Sequence, residues 1–387
     1  MKKKILFIIG YLGSGGISKS MVNLLTAMDR SRYEVHLLIM SAKAGDYEPF
    51  VPHDVIKHRI PEVGWISAGV SGLMPLFKHG HILLMLCSIV RLFLSRFDRA
   101  LAARLMARMY PKLDGYFDVI VEYNGQQDLY YMVDKLNAAK KVTFFHSDYD
   151  KYNYYYKADK LYYPKVDAIY TISNTCVESL KRYFPNVASK VCLFENISTP
   201  NVIRQWSEKE EVLSDYNGVV LVTVGLISYN KGFDLIIEAA KRLKERNHDF
   251  KWVMLGSPTT DGKEMITKLE KLDLKYDFVF TGVKPNPYPY MRRADILVHA
   301  SRFEGKSITL DEAKILCKPI VVTNFSTVYD QFEDRVNASI CDMNGESLVD
   351  AIEELIRYNE LRKSYVNYLS EHIVDNSSEV EKIYALF

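Results

Sequence analysis

The sequence predicts an α/β protein of two Rossmann-like domains, and three observations carry that prediction. Short apolar runs alternate with longer helical patterns almost from end to end, as in parallel sheets joined by crossover helices. The chain has 387 residues, long for one such domain and sufficient for two. A polar stretch at 197–218 separates two sets of strand candidates. It contains Pro200, Asn201 and the charged run Glu208–Glu211, which mark it as a linker.

In the first half the strands are expected at Lys4–Ile9, Glu34–Ile39, Phe117–Glu122, Lys141–Phe145, Ala168–Ile172 and Val191–Phe194, with helices such as Ile17–Met28 and Thr175–Tyr183 between them. In the second half they are expected at Val219–Val224, Lys251–Leu255, Phe278–Thr281, Ile296–His299, Ile320–Thr323 and Ser339–Cys341. Helices are expected at Phe233–Arg246, Lys263–Leu272, Ile308–Leu316 and Glu346–Tyr358. The division is residues 1–200, residues 201–365, and a helical tail over 366–387 that returns to the first domain.

Composition excludes several classes. Hydrophobic residues are 48% and charged residues 25%, an ordinary globular profile, and the net charge of +2 gives no global case for nucleic acid. The five cysteines, Cys87, Cys176, Cys192, Cys317 and Cys341, show no C-x-x-C spacing and read as buried, reduced thiols of a cytoplasmic protein. Lys2–Lys4 followed by Ile5–Ile9 resembles a short export signal, but the apolar run stops at Gly10, so it is expected to be the first strand. No stretch reaches the ~18 to 20 apolar residues of a membrane-spanning helix.

One segment breaks the rhythm, an insert at about 70–112. It is apolar and basic, with Ile82–Val90 followed by Arg91, Arg96, Arg99, Arg104 and Arg108, and Asp98 its acidic exception. The pattern fits a pair of core helices with a solvated basic face. It fits equally an in-plane element making peripheral contact with an anionic membrane.

Three segments carry chemistry. The turn after the first strand, Gly10–Gly16, lets backbone approach a ligand beside a helix start, which suits a diphosphate or a sugar hydroxyl; a turn needed only for packing is the other reading. A dinucleotide site wants an acid at the end of the second strand, and none occurs before Asp46, which disfavours NAD. Gly13–Ser20 misses a P-loop at one position, where Ser18 stands for glycine. The second segment, Val224–Asp234, places Lys231 just before a helix at the carboxyl end of a parallel strand, where a cation faces a phosphate. The third is Ser301–Ala313. Its Glu304 and Glu312 stand eight apart, suited to two ends of one elongated ligand, and the amides of Ser307, Ile308 and Thr309 lie at a helix start that can receive a phosphate. On spacing alone the pair is equally a cap and a surface ion pair.

Together these segments resemble the GT-B fold retaining glycosyltransferases of family 4, whose E-x7-E signature is present as Glu304 and Glu312. "SRFEG…LDEA…KPIVVT" at 301–323 and "VG…S…KGFDLIIEA" at 224–239 match that family, and "GSGGISKSMVNLL" resembles its first-domain loop. The likeness covers about 205–360 well and the first half loosely. It implies two domains facing a central cleft. It implies that Lys231 neutralises the donor diphosphate, Glu312 bonds the ribose, Glu304 lies near the transferring sugar, and Gly282 and Val283 pass the base. Gly15 and Gly16 would approach the diphosphate or sugar, and Gly305 opens the loop after the first glutamate. His146, ending "KKVTFFH", stands where the family has a histidine near the reacting centre; a satisfied core histidine is the alternative.

The sequence also departs from the family. Leu226 stands where a basic residue follows the glycine of "VG", with Arg302 or Lys306 as replacement phosphate cations. Gly305-Lys306-Ser307 replaces Gly-Phe-Gly, and Asn196–Thr199 departs from the interdomain pattern. The implied reaction moves a hexose-type sugar from a nucleotide donor, UDP favoured and GDP next, with retention. It needs no cofactor, and no D-x-D or His/Asp cluster indicates a metal. The implied acceptor is a saccharide or lipid-linked, in bacterial surface polysaccharide assembly. The rivals are a sugar-nucleotide epimerase of the same fold, an NTPase built on the P-loop near miss, and a non-catalytic partner of another transferase.

Overall fold

The computed structural model describes residues 2–13 and 15–387. The chain forms two compact units, one of residues 1–197 with 377–387, the other Ser198–Asn376. In the first, seven parallel strands, β1 (Lys3–Ile9), β2 (Tyr33–Ile39), β3 (Ile56–His58), β4 (Tyr116–Glu122), β5 (Asn137–Phe145), β6 (Ala168–Thr171) and β7 (Val191–Leu193), are ordered β3-β2-β1-β4-β5-β6-β7. In the second, β8 (Val219–Val224), β9 (Phe250–Leu255), β10 (Phe278–Gly282), β11 (Ile296–His299), β12 (Ile320–Thr323) and β13 (Ser339–Cys341) are ordered β10-β9-β8-β11-β12-β13, again parallel.

Each sheet is buried on both faces, which is why its strands read as near-continuous apolar runs. On β1, Leu6 and Ile8 enter one core while Ile5, Phe7 and Ile9 enter the other, following the two-residue period of a strand. On β8, Leu221 faces one core and Val220 and Val222 the opposite one. The strand order reverses direction between β1 and β4 in the first unit and between β8 and β11 in the second. At such a switch point the loops leaving the carboxyl ends diverge to opposite faces and open a crevice for ligand.

Three expectations need correction. The 197–218 stretch is not all linker: Pro200–Ser207 is a helix whose Ile203 is buried in the core of the second unit, and Asn286 Nδ2 donates to Trp206 O at 2.9 Å. Its surface is polar, but Ile203, Trp206 and Ser207 repeat at helical spacing and supply a buried face. The tail is not one helix over 366–387 either. A helix ends at Glu371, and Ser377–Phe387 forms short turns in the first unit. There Val380 and Ile383 are buried, and Tyr384 stacks on Tyr33 with ring centroids 4.6 Å apart. Of the five cysteines, Cys176 and Cys341 are buried as expected, whereas Cys192 is exposed and Cys87 and Cys317 are half-buried. Strand β3 was not anticipated; it is three residues long, lies at the sheet edge and leaves Ile56 exposed, so it lacks the apolar run that marks the others.

Candidate functional site

In the second unit the predicted residues gather at the carboxyl edge of the sheet, around the β8/β11 switch point. The loop after β8 ends at Gly232, whose φ of 70° lies in the left-handed region. A Cβ there would collide with the carbonyl oxygen of Ala300, so only glycine lets the β8 loop cross this close to the end of β11. That crossing brings Lys231 over Glu304: Lys231 Nζ lies 2.6 Å from Glu304 Oε1.

The same carboxylate oxygen accepts from Ser301 Oγ at 2.7 Å and faces His299 Nε2 at 2.9 Å, which assigns the ring proton to Nε2. Thr327 Oγ1 donates to the backbone oxygen of Glu304 at 2.9 Å. Burial alone would push the Glu304 carboxyl up. Lys231 and then His299 outweigh it and hold the group well below the usual carboxylate range. Glu304 is therefore a fixed anion beneath a lysine. An ammonium group has three donors, so one pointed at Glu304 leaves two for another anion.

Glu312 lies on the helix Ile308–Ile315, is 1% exposed, and accepts from Tyr288 Oη at 2.8 Å on Oε1. The two glutamates of the E-x7-E pair thus occupy separate nests, in keeping with contacts to different parts of one ligand. Gly282, at the end of β10, has open space beside its α-carbon, and Val283 is partly exposed next to it.

Several expected phosphate contacts are occupied. Arg302 is clamped on Asp234 by both terminal nitrogens, at 2.8 and 2.7 Å, and lies over the Tyr229 ring at 3.6 Å. Lys306 is turned inward, 3.7 Å from the buried carboxylate of Asp311. Leu226, where the family pattern has a cation, is exposed. The Ser307 amide donates to Gln331 Oε1 at 2.9 Å, while Gln331 Nε2 donates to Ser307 O and Asp311 Oδ1 at 3.0 Å. Gln331 caps the helix start, and among the described residues the first-turn amides of Ile308, Thr309 and Leu310 show no acceptor. Gly305, between Glu304 and Lys306, is buried.

Sequence reasoning missed His299, Ser301, Tyr288 and Gln331. A signal for one of them was present: His299 ends β11 as His146 follows β5, and the strand-end argument applied to His146 applies to it equally.

In the first unit the β1/β4 switch point is built differently. Glu122, the last residue of β4, is fully buried. Its Oε1 accepts the amides of Asn124 at 2.5 Å and Gly125 at 2.6 Å, and its Oε2 lies 2.6 Å from Thr143 Oγ1. Burial, then the neighbouring Asp128, pushes this carboxyl up to about 8. Burial raises Asp128 to about 7, although Asn124 Nδ2 approaches it at 3.4 Å.

His146 packs between aromatic rings, with centroids 4.5 Å from Tyr123 and 5.5 Å from Phe144. Burial pushes the imidazole down to about 3, which keeps it neutral at physiological pH. Its buried Nε2 has no hydrogen-bond partner among the described residues. Gly15 precedes the helix Gly16–Ala27 with a φ of 179°, an extended conformation open to any residue, and a Cβ there would meet nothing. Gly16 is exposed at the first position of that helix.

The P-loop near miss is not supported by its serine. Ser20 is buried in the packing, donating to Asn196 Oδ1 at 2.7 Å and lying 2.7 Å from Tyr123 Oη, so the hydroxyl that would hold Mg²⁺ is occupied. Ser14, within that motif, lies outside the described residues. Among the described residues no group of three or more His, Cys, Asp or Glu side chains is placed to hold a metal ion. Among the described residues no helix is long and apolar enough to cross a membrane.

Comparison with known proteins agrees with this geometry. Residues 204–372, the part that carries Lys231, Glu304 and Glu312, match the family model "Glycosyl transferases group 1". The uncharacterized glycosyltransferase MJ1059 of Methanocaldococcus jannaschii is 24% identical over 175 residues, 44% of this chain and 43% of that protein. The chain thus spans under half the length of that curated relative. Among solved structures, Anabaena Alr3699/HepE in complex with UDP and glucose is similar over 99% of this chain and 98% of its own, with a TM-score of 0.73 at 14% identity. S. aureus TarM in complex with fondaparinux, alpha-GlcNAc-glycerol and UDP is similar over 99% of both chains, with a TM-score of 0.71 at 13% identity. The chain has the GT-B fold, and its residues 204–372 are similar to the glycosyl transferases group 1.

Proposed function

We propose that this protein is a retaining glycosyltransferase of family 4. It moves a hexose-type sugar from a nucleotide donor, UDP first and GDP next, to a saccharide or lipid-linked acceptor in bacterial surface polysaccharide assembly, at the inner face of the cytoplasmic membrane. The observation that carries this reading is the Lys231–Glu304 pair at the β8/β11 switch point, braced by His299 and Ser301, beside the free first turn of the Ile308–Ile315 helix. Solved relatives of the same fold hold UDP, which supports the order of donors.

In this reading the acceptor hydroxyl oxygen bonds to the anomeric carbon on the face from which the diphosphate departs. The glycosidic C–O bond to the β-phosphate breaks with its electron pair on that phosphate, and the phosphate oxygen takes the hydroxyl proton. Lys231 and the amides of Ile308 and Thr309 stabilise the charge that grows on the leaving group, without a metal. Glu304 stays ionised and orients Lys231. Glu312, released from Tyr288, binds the ribose. Neutral His146 offers Nε2 to a sugar hydroxyl as a hydrogen-bond partner, not as a protonated acid.

A second reading, a non-catalytic partner of another transferase, draws on one observation. Leu226 removes a phosphate cation, and Arg302 and Lys306 are held by other carboxylates. Calorimetric titration with UDP, GDP and ADP, with and without Mg²⁺, separates the two. The transferase reading expects metal-independent binding of UDP or GDP that weakens at least ~10-fold in Glu312→Ala, the loss expected for a buried charged hydrogen bond. Absence of binding by all three nucleotides supports the partner reading.

A further inference from the structure

The helix Ile82–Leu94 is inside out. Its polar residues Ser88 and Arg91 are the buried ones, and Arg91 donates to Ile66 O at 3.3 Å. Its solvent face carries Leu83 (74% exposed), Leu86, Ile89, Val90 and Phe93, and Phe97 (75% exposed) continues the stripe just beyond the helix. The spacing is that of one helical face. Ordinarily such a face is turned to a core. Met74 and Phe77, on the preceding helix Leu73–Lys78, are also more than half exposed and add to the apolar surface of the same insert.

The rim has one sign. Residues 71–112 hold seven Lys and Arg against a single acid, Asp98. Lys78 is exposed before the helix, and Arg96, Arg99 and Arg108 are exposed after it. At its carboxyl end Arg96, Phe97, Arg99, Tyr154 and Lys157 line a hollow of about 520 Å³, where Arg99 lies over the Tyr154 ring at 5.0 Å. At 13 residues the helix is about 20 Å long, too short for a hydrocarbon core of about 30 Å but suited to lying in its surface.

We propose that the exposed face of Ile82–Phe97 docks in the plane of an anionic phospholipid bilayer, with Leu83, Leu86, Val90 and Phe93 in the acyl boundary and Arg96 and Arg99 on lipid phosphates. The charge chooses this occupant over a second copy of the chain. Self-pairing would set basic rim against basic rim with almost no acid to meet it, whereas anionic headgroups complement it. The surface deepens the lipid-linked acceptor reading, which it would place beside its substrate, but it is tested without nucleotide, so either can fail alone.

The test is flotation of the full chain with phosphatidylcholine vesicles, with and without phosphatidylglycerol, beside light scattering of the lipid-free protein. The expected result is flotation with phosphatidylglycerol vesicles that weakens with salt. Binding should fall roughly 30-fold in an Arg96→Ala/Arg99→Ala variant, from two lost phosphate contacts, and roughly 10-fold or more in Leu83→Gln/Phe93→Gln. Both pairs are exposed, so the variants should keep wild-type urea midpoints and UDP affinity. Equal flotation with neutral vesicles, flotation unchanged in Leu83→Gln/Phe93→Gln, or no flotation from a dimer which that variant dissociates would overturn the proposal.

Discussion

The two sheets have the same strand order over six strands and a switch point in the same place, yet the carboxylates there are handled in opposite ways. In the second unit Glu304 has a cation at 2.6 Å and stays ionised. In the first unit Glu122 has backbone amides, a hydroxyl and a second acid for neighbours, and burial holds its proton. The difference separates the site proposed to take an anionic ligand from a loop brace. Glu304 anchors a lysine that retains free donors, whereas Glu122 spends its oxygens turning the chain from β4 into the helix Gln127–Lys135.

The largest expected effect breaks the charged site. Lys231→Ala should lower sugar transfer by roughly 100-fold or more, since it removes the cation proposed to face the leaving diphosphate. It also strands a largely buried carboxylate that keeps His299 and Ser301, at a cost of about 2 kcal/mol in the second unit. Initial rates with a UDP-sugar and urea midpoints check the two parts. Transfer at the wild-type rate would dismiss the assigned site. The depressed carboxyl has a pH consequence of definite sign. Folded Glu304 ionises below the 4.5 of the unfolded chain, so its contribution is complete above that value and is lost as the solution is acidified. Lys231→Ala should move the acid-induced loss to higher pH.

Glu122 has the reverse dependence, and this sharpens the contrast. Between its unfolded 4.5 and its folded value of about 8 the native state holds a proton that the unfolded chain has released. Its contribution is therefore full below 4.5 and declines as pH rises toward 8. Glu122→Gln mimics the protonated group, with Oε1 for the amides of Asn124 and Gly125 and Nε2 for Thr143. It should flatten this decline by roughly 2 kcal/mol between about pH 5 and pH 8, a conservative share of the shift. Urea titrations of both proteins at the two pH values measure it; parallel declines would mean that Glu122 is ionised after all.

Much of the second site was legible because its determinants are local in the chain. Lys231 precedes a helix, and Glu304 and Glu312 flank a helix start, so their placement follows from the strand–loop–helix pattern alone. What holds them was not legible. Tyr288 reaches Glu312 across 24 residues, Gln331 reaches the Ser307 amide across 24, and Lys231 meets Glu304 across 73. Such pairings depend on how neighbouring loops fold over one another, which periodicity does not encode. The carboxylates beside Arg302 and Lys306 were not legible for the same reason: Asp234 is 68 residues from Arg302 in the chain, and a cation in a site motif does not announce its partner. In the first unit Glu122 and Asp128 carry no motif that marks them. An acid at the end of an apolar strand resembles an ordinary strand terminus.

The smallest effects separate the glycines of the two switch points. Gly232 has a left-handed φ and the Ala300 carbonyl against its α-carbon. Gly232→Ala therefore meets both backbone strain and a steric clash and should cost about 2 kcal/mol or more, since relief would pull the β8 loop off β11 and Lys231 off Glu304. Gly15 is extended with open space beside it. Gly15→Ala should leave the urea midpoint within about 0.5 kcal/mol of wild type, the range of an uninvolved surface change. The informative measurement is then donor affinity in Gly15→Ala. If the loop approaches a diphosphate or sugar closely, a methyl group that the fold tolerates will still weaken nucleotide-sugar binding. If affinity is also unchanged, glycine at this position serves neither fold nor ligand.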